Sequence, residues 1–174
     1  MFMIITREWL NPTRACGLAA YGTALTCCGI SWNTTKARRK TSRLAAVLML
    51  IETALLLDIV FDWRWKLHHA LVDFAVRRHE YAQRGLPQLV ALTLLGGLLL
   101  FGSLVSWRSF RGRGSTLMAV SGVLLSLVLW CIEVVSLHAV DLVLYYSLGG
   151  VMAVSLLWIL SCTMTSIGIL LDPR

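Results

Sequence analysis

Glu52, Asp58 and Glu133 stand inside long aliphatic runs, where acids are rare. An acidic side chain at the centre of a lipid-spanning helix costs about 2.5–3.5 kcal/mol even on lenient insertion scales, so each of the three needs a compensating arrangement. The remedies are a bound proton, a neighbouring cation, a water-filled cavity, a metal ion or a partner subunit. Other groups able to do chemistry collect nearby in sequence: His68, His69 and Asp73, then His138 and Asp141, with Asp62 and Glu80 as further acids.

Three chemistries fit these residue types. Intramembrane carboxylates are the usual mark of a proton or ion path, with Glu52 and Glu133 titrating and Asp58, Asp62 and Glu80 at its outer mouth. Imidazole suits Zn, Cu or Fe, and His69 and Asp73 have the i, i+4 spacing that aims two ligands the same way, although no HExxH pattern accompanies them. A haem held by two imidazoles, from His138 and either His68 or His69, is the third. Against all three stands plain structural pairing with Arg64, Lys66, Arg77 and Arg78, and buried polar groups are more often paired than reactive. No cofactor is required by the residues. GxGxxG, P-loop and GxSxG patterns are missing from the sequence, so no catalytic residue is assigned and a non-enzyme is expected.

The elements that must carry these groups are apolar helices. Five stretches, Ala15–Trp32, Leu44–Phe61, Gln88–Trp107, Thr116–Leu137 and Leu142–Leu171, are nearly free of charge. A bilayer core of about 30 Å calls for roughly 20 apolar residues per helix. The chain is 57% hydrophobic and 14% charged, with a mean hydropathy of +0.74. The expectation is an all-α integral membrane protein forming one domain over residues 1–174, a bundle of five transmembrane helices. The count falls to four if Ala15–Trp32, which is rich in Ala, Gly and Thr, does not span. The longest remaining stretch, Asp62–Pro87, is too short to bury a core of its own.

That stretch reads as an amphipathic helix over 62–86 that continues the second span. On such a helix Asp58, Asp62, His69, Asp73 and Glu80 share one stripe, with Trp63, Leu67, Ala70, Phe74 and Tyr81 opposite. The fifth stretch is too long for a perpendicular span and must tilt, protrude or break, with Gly149-Gly150 its weak point. For that pair and for Gly96-Gly97 the expected role is close helix contact. Trp130 and Trp158, deeper than the other tryptophans, are expected to serve packing.

The net charge of +7 comes from loops beside the apolar stretches, which favours orientation and anionic lipid over nucleic acid as its meaning. Basic loops 33–43 and 108–114 are expected in the cytoplasm, with 62–87 and the 138–141 turn on the outer side of a cell inner membrane. With five spans the basic residues divide nine to seven between the faces; with four, eleven to five. Arg7, Arg14 and the polar prefix before Ala15 make a poor signal peptide, so the first segment is read as retained. The five cysteines fall in apolar stretches without a CxxC and read as small buried hydrophobes.

In composition and topology the chain resembles accessory subunits of bacterial energy-converting membrane complexes. The resemblance implies a non-catalytic accessory subunit, with the bilayer and other membrane subunits, or further copies of itself, as partners. A proton- or ion-coupled transport protein and a metal- or haem-binding redox subunit are the alternatives.

Overall fold

The structure, a computed structural model, describes residues 11–36, 39–77, 85–136 and 138–172. Its order is α1 Pro12–Thr34, α2 Arg39–Phe61, α3 Trp63–Arg77, α4 Gly85–Ser109, α5 Gly114–Val135, α6 His138–Leu144, strands β1 Ser147–Leu148 and β2 Val151–Met152, and α7 Ala153–Leu170. Four of these helices, α2, α4, α5 and α7, are long and apolar enough to cross a membrane. The all-α class expected from the sequence holds.

Helix α1 has the length of a span at 23 residues but is not among those four. The reason lies in its side chains. Its inward face is Thr13, Gly17, Ala20, Tyr21, Ala24, Cys28 and Ser31, small or polar groups that let it lie close to α2 and α7. On its exposed side Thr23 and Thr26 return their hydroxyls to the carbonyls of Ala19 and Gly22, which satisfies them without water.

Helices α1, α2, α5 and α7 enclose the core. One cluster centres on Tyr21, Leu55, Ile59, Leu129 and Trp158, and a second on Cys28, Leu48, Val123 and Ile169. The α5–α7 seam is the tightest. A Cβ on Gly122 would lie 2.5 Å from the Ser161 carbonyl, and one on Gly168 would collide with the backbone of Ala119. Ser126 donates to Ser161 across the same seam at 2.8 Å. Helix α4 stands outside the core against α5, and none of its residues is buried.

Two expectations about continuity are corrected. The second span does not run on into the 62–86 segment: Asp62 adopts φ 54°, which ends α2, and α3 starts afresh at Trp63. Aspartate tolerates this left-handed conformation better than most residues. Consequently Asp58 and Asp62 leave the stripe that a single helix would have given them. The stretch 142–171 is not one span either. Gly149 and Gly150, at φ 61° and 88°, form the turn of a short antiparallel hairpin, and the apolar helix is Ala153–Leu170 alone. Two successive positive φ values suit a tight hairpin turn and favour glycine at both places. Among the described residues nothing lies within 4 Å of a Cβ placed on either of these glycines, or on Gly96 or Gly97, so neither pair mediates close helix contact among them.

Candidate functional site

The break at Asp62 has a direct chemical consequence: it swings Arg64 back toward the ends of α2 and α5. Asp58, still on α2, accepts the Arg64 backbone N–H at 2.8 Å through Oδ1 and the Arg64 Nε–H at 2.7 Å through Oδ2. The first of these bonds satisfies an otherwise unpaired donor in the first turn of α3. Arg64 Nη1 donates to Glu133 Oε2 on α5, and Trp158 Nε1 on α7 donates to Glu133 Oε1 at 3.1 Å. The guanidinium carbon also sits 4.9 Å from the centre of the Trp158 ring, within cation–π range.

Four side chains from four helices thus close one buried cluster, with Asp58 2%, Glu133 5%, Trp158 6% and Arg64 7% exposed. Burial works against the charge of Arg64, but the Glu133 and Asp58 carboxylates more than offset it and raise its pKa. The planar fork of arginine suits this task, since one guanidinium can face two carboxylates and a ring at once.

Beside the cluster lies a cavity of about 610 Å³, with Arg64, Glu133, Trp158, Tyr145, Asn11 and Met152 in its wall. A second ion pair borders it, Arg14 Nη1 to Asp62 Oδ2 at 3.0 Å, and Arg14 also donates to the Val60 carbonyl at 2.6 Å, near the end of α2. Thr13 Oγ1 accepts from the Met152 N–H at 3.0 Å, tying α1 to the hairpin. Tyr145 stacks on Trp65, with ring centres 6.2 Å apart. Burial, followed by the fields of Glu133 and Asp141, raises the Tyr145 pKa and keeps its phenol protonated at neutral pH.

The sequence candidates therefore divide. Asp58 and Glu133 meet through Arg64, and Asp62 reaches the same cavity through Arg14. His68 bonds the Val134 carbonyl through Nδ1 at 3.1 Å, which docks α3 on the end of α5, whereas His69 turns its Nδ1 to the Trp65 carbonyl of its own helix at 2.7 Å. Their rings stand 5.7 Å apart, edge to face. Asp73 is exposed one turn beyond His69. Asp141 accepts from the Ser136 hydroxyl and keeps Oδ1 without a partner among the described residues. Glu80 and the side chain of His138 lie outside the described residues, and with them the proposed haem clamp. Among the described residues no three His, Cys, Asp or Glu side chains gather in a way that could hold a metal ion.

Glu52 stands apart from all of these. It is fully buried near the middle of α2, its Oε2 is 4.0 Å from the Cys162 thiol, and its Oε1 has no hydrogen-bond partner among the described residues. Sequence reasoning gave Trp158 a packing role, which it has in the core, but missed that its indole N–H holds Glu133 in place. The available signal was that a deeply buried tryptophan needs an acceptor for that N–H.

The fold and site together define a predominantly helical protein of the all-α class, with four membrane-length helices and a buried arginine held between two carboxylates and an indole. No protein-family profile, curated protein or solved structure matches the chain.

Proposed function

We propose that this protein is a non-catalytic, multi-pass subunit that organises or stabilises a larger membrane complex, with bacterial energy-converting complexes of the inner membrane as its setting. The observation that carries this reading is α4: a 25-residue apolar helix that packs chiefly on α5 and buries none of its residues. Gly96 and Gly97 open that helix to close approach by another helix, since no neighbour among the described residues fills the space around them. The carboxylates of the Arg64 cluster are committed to holding α2, α3, α5 and α7 together, a positioning task. By the charge rule the end bearing Lys40, Arg43 and Arg113 faces the cytoplasm and the Arg64 cavity opens on the outer side.

Tagged full-length protein purified from native membranes in mild detergent tests the reading. It should bring down stoichiometric membrane partners, and a Gly96→Leu/Gly97→Leu variant should lose them at an unchanged melting temperature. Recovery of a lone monomer at normal yield would overturn the proposal.

A second reading, proton- or ion-coupled transport, draws on Glu52, a carboxylate deep in an apolar helix with one oxygen unbonded among the described residues. Flux into liposomes should then fall sharply in Glu52→Gln. Equal flux in mutant and wild type, or none in either, would remove it.

A further inference from the structure

At the end of the bundle opposite Arg64 lies a second cavity, of about 500 Å³, and its chemistry is of another kind. Lys40 and Arg43 enter it from the first turns of α2, and Arg113 from the connection between α4 and α5. Among the described residues no carboxylate forms a salt bridge with any of the three. The one acid in its wall, Asp172, is buried and accepts a hydrogen bond from the Thr116 hydroxyl. Three cations against one carboxylate leave the pocket with an excess of positive charge. Two helix N-termini, those of α2 and α5, add to it, and Arg113 at the start of α5 makes no side-chain capping bond.

The apolar part of the wall narrows the choice of ligand. Leu44 and Phe110 are half-buried beside the cations, so the pocket has a charged rim and a greasy flank. It sits at the ends of membrane-length helices, where the headgroup layer meets the acyl chains. Long basic side chains at such a place lay their stems along apolar surface and hold their charges in the polar layer. We infer that this pocket binds the phosphate headgroup of an anionic phospholipid, with Lys40, Arg43 and Arg113 on the phosphodiester and Leu44 and Phe110 against the upper acyl chain. Basic pockets between spanning helices on the cytoplasmic side recognise lipid headgroups by this chemistry, and each cation near the surface adds to the attraction.

The test uses the full chain in neutral detergent, with phosphatidylglycerol or phosphatidylcholine added and lipid retention read by native mass spectrometry alongside the melting temperature. Wild type should prefer phosphatidylglycerol by at least about tenfold and melt higher with it, as expected for two or three cations on one headgroup. Arg43→Gln/Arg113→Gln should lose that preference. Arg108→Gln/Arg111→Gln removes the same charge from the neighbouring surface, outside the pocket wall, and should keep it. Should the double pocket variant fail to fold, the single variants Lys40→Gln and Arg113→Gln carry the test, each losing part of the preference. The inference is overturned if wild type shows no preference, if the pocket and surface variants lose it equally, or if the single variants retain it in full. Millimolar inorganic phosphate that matches the stabilisation and displaces phosphatidylglycerol would mark a free-anion site and overturn the lipid assignment.

Discussion

Glu133 and Glu52 are both buried carboxylates on membrane-length helices, and the protein treats them in opposite ways. Both oxygens of Glu133 are bonded, one to Arg64 and one to Trp158. Glu52 has a thiol 4.0 Å from one oxygen and no hydrogen-bond partner for the other among the described residues. The difference follows from where each acid lies. Glu133 is near the end of α5, within reach of an arginine that belongs to a helix outside the spans. Glu52 is near the middle of α2, too deep for any loop cation to reach. A cation can enter an apolar bundle cheaply only from its ends, so depth decides which carboxylates are neutralised by partners.

Removing the shared cation should break this contrast most violently. Arg64→Leu leaves Asp58 and Glu133 buried together without compensation, and unpairing a buried charge costs about 3–5 kcal/mol. Unfolding in mixed detergent should show a loss of that order, and adding Asp58→Asn and Glu133→Gln to the same variant should restore much of it. If the triple variant is no more stable than Arg64→Leu alone, the cluster is not held by charge. Glu133→Gln by itself should cost less, about 1–3 kcal/mol, because Asp58 still faces Arg64 and the amide oxygen can still accept from Trp158. Trp158→Phe keeps the ring beneath the guanidinium and removes only the N–H donor. Its expected cost is about 1 kcal/mol, and double-mutant cycles with Glu133→Gln should show coupling between the two sites.

The same contrast separates what the sequence made legible from what it did not. Periodic apolar stretches announced α2, α4, α5 and α7, because a membrane-length helix is written in composition alone. The pairing of the acids near the helix ends with Arg64 was anticipated as a class, since acids in apolar runs demand a counter-charge. Which acids pair was hidden, because it hangs on one backbone dihedral at Asp62. A helical wheel drawn through that residue puts Asp58 in a stripe with His69 and Asp73, whereas the turn places it against Arg64 instead. The glycine pairs were misread for a related reason. Gly149-Gly150 looks like a small-residue contact on a wheel, but a pair at positive φ is a turn. Two glycines that do mediate close contact, Gly122 and Gly168, are isolated in sequence and become meaningful only once α5 and α7 are seen side by side.

The smallest effect is expected where the carboxylate is loneliest. Glu52→Gln keeps shape and volume and replaces an acid that forms no salt bridge among the described residues. The amide can also donate where the carboxylate could only accept. Stability should therefore change by less than about 1 kcal/mol, in either direction, because no paired charge is orphaned. A loss as large as that of Arg64→Leu would mean that Glu52 has a cationic partner, and the distinction between the two acids would collapse. A neutral result sharpens it, because a buried carboxylate that stability does not need is retained for another reason. In that case flux measurements on the same variant become the decisive comparison between the subunit and transport readings. A folded, partner-bound Glu52→Gln protein with unchanged proton permeability in liposomes would leave Glu52 with no role in transport, whereas a selective loss of flux at unchanged stability would make it the functional carboxylate of the pair.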